Sequence, residues 1–259
     1  MNNYDRDDTC EDEENDNPFK SSTTGFWRNM ENTISTMSKT KYARLLAGLT
    51  MAGVVFSALI ALSTLRLELN WGILLIFGLG LPLLGALIAA KSRSPLVSGL
   101  GFVMISGGFG VLLGPTIASA GLDIALTASI LTFGIAAIMS LIGIIYPKSL
   151  EHWGMYLGAC LLALIGLRLV QIFILPLFGV MPLEGIWWQY LIEFGAAALF
   201  CCYIIYDWNR ALRLPYTADN AVDAAIAVYL DILNLFLIIL RILSMMKKRL
   251  LKQSKSLAI

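Results

Sequence analysis

Four ionisable residues stand inside long apolar runs: Arg168, Glu193, Asp207 and Asp231. A charge in the middle of a membrane helix costs roughly 2.5–3.5 kcal/mol even on insertion scales, so a residue kept there has a partner or a task. Asp207 is the last residue but one of the stretch FCCYIIYDW, and Asp231 follows Tyr229 and Leu230 partway along the next run. A short loop holding Arg210, Arg213 and Pro215 joins the two runs, which makes them neighbours whose aspartates can meet. Two close carboxylates cannot both ionise cheaply, so such a pair titrates as a unit and senses protons without a histidine. The plainer alternative leaves Asp207 facing water at its helix end, while the depth of Asp231 demands a partner.

Arg168 and Glu193 are expected to form an intramembrane ion pair. At about 1.5 Å per residue they fall roughly 15 Å and 10 Å below the same boundary of two consecutive antiparallel helices. The long arginine side chain can span that difference, and an unpaired charge there would be costly. Glu193 also precedes Asp207 by about four helical turns, which puts both on one face about 21 Å apart, a carboxylate near each mouth of a cation path. Arg241, read as lying near the end of its helix, is expected to snorkel to the interface.

The elements that must hold these residues are membrane helices. Of the 259 residues, 58% are hydrophobic and 14% charged, against about 25% charged in soluble domains. Six runs have the roughly 20 apolar residues that a span requires: 43–65, 71–90, 96–114, 124–145, 153–175 and 186–206. A seventh, 221–243, is long enough but carries Asp223, Asp231 and Arg241. The expected fold is therefore an all-α membrane protein of seven transmembrane helices with short loops. Residues 41–246 form the membrane domain, 1–40 an acidic tail expected to be disordered, and 247–259 a basic C-terminal tail. In the tail, eight of the 18 acidic residues lie between Asp5 and Asp16, too polar a stretch to bury anything.

Basic residues orient the chain. Lys20, Arg28, Lys39, Lys41 and Arg44 precede or open the first run; Lys91 and Arg93, then Lys148, then Arg210 and Arg213 occupy alternate loops. The opposite loops offer only Arg66, which places the N-terminus in the cytoplasm. Lys247, Lys248, Arg249, Lys252 and Lys255 break the pattern if the seventh run spans, and would fit it if that run were re-entrant. The unbroken apolar stretch 232–243, without Gly or Pro, favours a full span. Gly110-x-x-x-Gly114 and Gly154-x-x-x-Gly158 are small-residue spacings that let helices approach. Trp187, Trp188 and Tyr190 suit an interfacial belt.

Other chemistry is poorly represented. The cysteines Cys10, Cys160, Cys201 and Cys202 have no metal-ligand spacing, and His152 stands alone beside Glu151. No Gly-x-Ser-x-Gly occurs. Tyr206-Asp207 matches half of an aspartyl intramembrane protease, but Val228, Tyr229 and Leu230 stand where that chemistry needs Gly-x-Gly, and no Pro-Ala-Leu follows. No enzyme, cofactor, stable metal or nucleic-acid partner is expected.

The stretch 200–208 and the stretch AVDAAIAVYLDILNLFLIILRIL, 221–243, resemble the signature of the Bax inhibitor family. A weaker echo is the run from Gly107 to Pro115. The resemblance implies six helices arranged around a central seventh. It also implies that Asp207 and Asp231 gate a calcium leak with pH, with transient calcium at the pair, so that the partners are the bilayer, calcium ions and protons. In bacterial relatives a basic residue near the end of the second helix competes for the first aspartate; Lys91 or Arg93 could be that latch. The second run, 71–90, contains no acidic residue, so a gate that uses one there would differ here. Relatives are linked to suppression of cell death or modulation of a membrane protease, which makes the acidic tail a possible handle for a membrane-protein partner. The layout suits a bacterial inner membrane, with endoplasmic reticulum or Golgi as the alternative.

Overall fold

The computed structural model describes residues 37–171, except Leu69 and Arg93, together with Leu177 and residues 186–257. Residues 1–36, which hold the acidic stretch, and the candidate latch Arg93 lie outside the described residues, while the last residues of the expected tail, from Lys39, already belong to the first helix. Seven helices account for nearly all the rest. They are α1, Lys39–Thr64; α2, running from Trp71 to Lys91; α3, Pro95–Ala120; α4, Leu122–Ile145; α5, Trp153–Leu169; α6, Ile186–Ala211; and α7, Ala218–Leu257. No strand occurs among the described residues.

All of these helices but α5 are long and apolar enough to cross a membrane. The described part of α5 has 17 residues, and the rest of its expected run, beyond Gln171, lies outside the described residues. The outward faces carry large apolar side chains such as Leu75, Ile76, Leu79, Leu83 and Leu87 on α2. An apolar surface of that extent belongs in lipid.

Local chemistry sets the helix ends. Ser38 caps α1 by accepting from the Lys41 amide, and Asn70 caps α2 by accepting from the Ile73 amide at 2.9 Å, each satisfying an amide that the first turn leaves unpaired. Helix α2 widens into a π-helical stretch over Leu74–Gly80, just before Pro82. A proline ring clashes with the carbonyl four residues back in a regular helix, and the wider turn relieves that clash. Gly121, at φ 97°, is the sharp joint between α3 and α4, a conformation that favours glycine.

Close packing rests on glycine. A Cβ on Gly110 would lie 2.9 Å from the Ser57 carbonyl oxygen, and one on Gly114 would run into Thr64, so this pair seats α3 against α1. Gly154 packs under the Tyr206 ring, but Gly158 has nothing within 4 Å and brings no helix closer. A contact that no single-helix spacing announces joins α2 to α3. Gly85 and Gly101 face each other so closely that a Cβ on either would lie 2.5–2.6 Å from the other's carbonyl oxygen.

The starts of α1, α3 and α7 gather at one end with the finishes of α4 and α6. The Met37 amide donates to the Tyr216 carbonyl at 2.8 Å, Ser98 donates to Asp219 at 2.9 Å, and Arg213 donates to the Pro147 carbonyl at 2.9 Å. Helix α7 packs principally against α1, α3, α4 and α6, whereas α2 lies on α3 and α5 on α6. The 40 residues of α7 are unbroken, so no hairpin turns it back. At about 1.5 Å per residue it is some 60 Å long, about twice the hydrocarbon thickness. The basic segment from Lys247 therefore continues α7 as helix, at the end opposite the α6–α7 loop. There the Arg249 guanidinium lies 5.1 Å over the Tyr190 ring at the start of α6.

Candidate functional site

Asp207 lies in the last turns of α6 and Asp231 partway along α7, and their carboxyl groups come within hydrogen-bonding reach of each other. The antiparallel packing of α6 on α7 through a short loop makes this meeting possible. Asp231 is 6% exposed, and its Oδ2 finds no donor elsewhere among the described residues. Asp207 is half-buried, with Arg210 one turn further along α6 as the nearby positive charge. Two carboxyl groups in this arrangement exchange protons as a unit.

The pair is braced on both sides. On α7, the fully buried Tyr229 shares a 2.6 Å hydrogen bond with the Ser57 hydroxyl of α1. Ser57 lies 2.8 Å from the Gly53 carbonyl and 2.9 Å from the Ser106 carbonyl of α3. The Tyr229 ring meets Phe102 edge-on at 5.4 Å. This polar knot fixes the rotation of α7 just before Asp231.

On α6, Asn209 is buried beyond Asp207. Its amide nitrogen lies 3.1 Å from the Tyr146 carbonyl and 3.2 Å from the Lys148 carbonyl. Its Oδ1 accepts from the Leu150 amide at 3.1 Å and from Arg213 Nε at 3.2 Å. One side chain thus ties the end of α6 to the α4–α5 connection. Sequence reasoning passed over Asn209; the only signal was a polar residue just after an intramembrane aspartate.

A second charged cluster lies toward the other end. Arg168 Nη2 on α5 stands 2.6 Å from Glu193 Oε1 on α6. Arg241 Nη1 on α7 donates to the same oxygen at 3.0 Å. Glu193 is 2% exposed, and its Oε2 has no partner among the described residues. The expectation that Arg241 lies near the end of its helix is corrected here. Because α7 runs on to Leu257, Arg241 is not at a helix end; it sits level with Glu193 and pairs with it. Arg168, Glu193 and Arg241, together with Gln171 and Gln189, border a cavity of about 290 Å³.

Of the two candidate latches, Lys91 alone falls among the described residues. Lys91 is exposed at the end of α2 and forms no ion pair among the described residues. Cys201 and Cys202 are half-buried and Cys160 is exposed, all three as free thiols. His152 is exposed just before α5. Among the described residues no three His, Cys, Asp or Glu side chains gather as a metal site. Calcium needs six to eight oxygen ligands for stable binding, more than the two aspartates alone supply.

A family model described as Inhibitor of apoptosis-promoting Bax1 matches residues 39–248, which hold all seven helices up to the basic end of α7. An uncharacterised protein of Helicobacter pylori is 32% identical over 139 residues, 53% of this chain and 55% of that protein. The protein LIFEGUARD 1 of Arabidopsis thaliana is 33% identical over 125 residues, 48% of each chain. The BI1-like protein of the same plant is 52% identical over 48 residues, 18% of each chain. The matched region spans about half the length of the Helicobacter and LIFEGUARD 1 relatives.

Proposed function

This chain belongs to the Bax inhibitor family of membrane proteins, and we propose that it acts as a pH-sensitive calcium leak channel whose gate is the Asp207–Asp231 pair. The observation that carries the reading is the meeting of two carboxyl groups from different helices, one of them buried with an oxygen that finds no donor among the described residues. In a low-dielectric setting such a pair exchanges protons with water at one mouth and attracts a divalent cation when ionised. The same change in charge alters how α6 and α7 sit together.

In this account Glu193 offers a second carboxylate toward the other mouth, with Arg241 and Arg168 covering it. Lys91 and Arg93 remain candidate latches for Asp207, and α2 has no carboxylate of its own to contribute. The N-terminus and the α4–α5 and α6–α7 loops face the cytoplasm, and the membrane is a bacterial inner membrane, a placement that the Helicobacter relatives favour. Endoplasmic reticulum or Golgi membrane is the alternative, which the plant relatives favour.

A second reading draws on the description of the matching family, which names inhibition of a death-promoting protein. In that reading the chain regulates a membrane-protein partner, reached through the acidic tail, and transports nothing. Reconstitution separates the two. Purified protein in vesicles of pure phospholipid, loaded with a calcium indicator, should admit calcium at a rate that changes with pH. A regulator without transport activity would be silent there.

A further inference from the structure

Three helices meet at one carboxylate in a way that leaves positive charge over. Arg168 of α5 and Arg241 of α7 each give one N–H to the same oxygen of Glu193 on α6, at 2.6 Å and 3.0 Å. The two guanidiniums therefore stand side by side, and one carboxylate cannot neutralise both. Like charges this close repel strongly where water is scarce. A guanidinium carries five N–H donors, and the other donors of both arginines meet no acceptor among the described residues. They are not sealed away either, because the two side chains are 29% and 53% exposed.

These donors border the cavity of about 290 Å³. The second oxygen of Glu193 is buried and offers the cavity nothing. What the cavity presents is guanidinium N–H groups, together with the side-chain amides of Gln171, just past α5, and Gln189, in the first turn of α6. Each amide can donate as well. The cavity also has a direction. Gln189 lies one turn before Glu193 on α6, Met245 one turn beyond Arg241 on α7, and Gln171 beyond Arg168. All three steps lead toward the boundary at the start of α6, where Trp187 and Trp188 are exposed. Lys248, two turns beyond Arg241 on the same face of α7, is exposed there and draws anions to the mouth.

We propose that this cavity is an oxyanion site that takes a phosphate group between Arg168 and Arg241. The planar fork of an arginine matches phosphate oxygens two at a time, and a second anion beside Glu193 removes the excess charge of the guanidinium pair. An apolar ligand would leave the same donors unpaired. The phosphate comes from solution as the inorganic ion, or from the headgroup of a phospholipid at the boundary; both present the same oxygens. Bound there, it joins α5 to α7 without passing through Glu193. The proposal stands on the cavity and its charges, and the calcium-leak reading can fail without affecting it.

The test uses the full-length protein, washed free of lipid in the neutral detergent dodecyl maltoside. Equilibrium dialysis against radiolabelled inorganic phosphate, at fixed pH and ionic strength, should show saturable binding of one phosphate per chain. Arg168→Gln and Arg241→Gln keep a donor and remove the charge. Each should weaken binding about ten- to hundredfold, the range for a hydrogen bond to a charged group. Should either variant purify unfolded, Gln189→Trp, which blocks the mouth from an exposed position, should abolish binding. A second arm repeats the dialysis with radiolabelled dihexanoyl phosphatidylglycerol. Lipid binding that inorganic phosphate displaces assigns the site to a headgroup, and phosphate binding that the lipid does not displace assigns it to the free ion; both support the site. Saturable binding of neither probe would overturn the proposal. So would binding that both arginine variants leave unchanged, which would belong to the basic end of α7 instead.

Discussion

Arg241 of α7 donates to Glu193 of α6 across 3.0 Å, onto the same oxygen that Arg168 of α5 reaches at 2.6 Å. One buried carboxylate therefore holds three helices together. The two arginines are not equivalent to the glutamate, because losing either leaves Glu193 one partner, while losing Glu193 leaves two guanidiniums facing each other.

The first prediction follows from that asymmetry. Glu193→Ala should destabilise the detergent-solubilised protein by about 3–5 kcal/mol, the range for breaking a buried pair from one side. Arg168→Ala and Arg241→Ala should each cost about 1 kcal/mol, because both arginines are partly exposed. The measurement is thermal unfolding in detergent. Equal losses for all three variants would contradict the shared-oxygen arrangement. Exchanging the charges, Arg168→Glu with Glu193→Arg, should not restore wild-type stability, because it sets Arg241 against the new arginine.

Glycine packing supplies the second prediction. Gly101→Leu must force α2 from α3, since even a Cβ would lie 2.6 Å from the Gly85 carbonyl oxygen. Overpacking of this kind costs about 1–3 kcal/mol. Gly158→Leu, which enters open space, should leave stability unchanged. Folded yield by size-exclusion chromatography compares the two, and equal behaviour would contradict the close α2–α3 contact.

The third prediction concerns Asn209. Asn209→Leu leaves the Leu150 amide and several carbonyls of the α4–α5 connection without partners, a cost of about 1–3 kcal/mol for each group that stays buried. The variant should unfold at lower temperature, and trypsin should cut faster at Lys148. A wild-type cleavage rate would show that the tie is unimportant.

Topology gives the fourth. Reporters inserted after Lys148 and Arg213 should read cytoplasmic, and one fused after Ile259 should read on the opposite side, because α7 is one unbroken helix. A cytoplasmic C-terminal reporter would contradict a spanning α7.

Much of this architecture can be read in the sequence because membrane helices announce themselves by length and apolarity. Depth could be counted too, so Arg168 and Glu193 could be set within an arginine side chain's reach of each other before any coordinates. Arg241 could not, because α7 was read as ending at Leu243, where its apolar run ends. Amphipathic helix continues for another 14 residues, through Lys247, Lys248 and Arg249 to Leu257, and that moves Arg241 away from the end. The Gly85–Gly101 contact was invisible because it joins two helices rather than one spacing. Asn209 and the Ser57–Tyr229 bond were missed for a related reason: one polar residue in a helix carries no hint of the distant carbonyl or hydroxyl that will meet it.

The most direct test of the gate is calcium flux through purified protein in phospholipid vesicles, measured across pH for the wild type, Asp207→Asn and Asp231→Asn. Asparagine keeps the volume and removes the titrating group. The account predicts that the wild-type rate changes with pH, and that each substitution flattens the profile because either one dismantles the coupled pair. Wild-type pH profiles in both variants would contradict it.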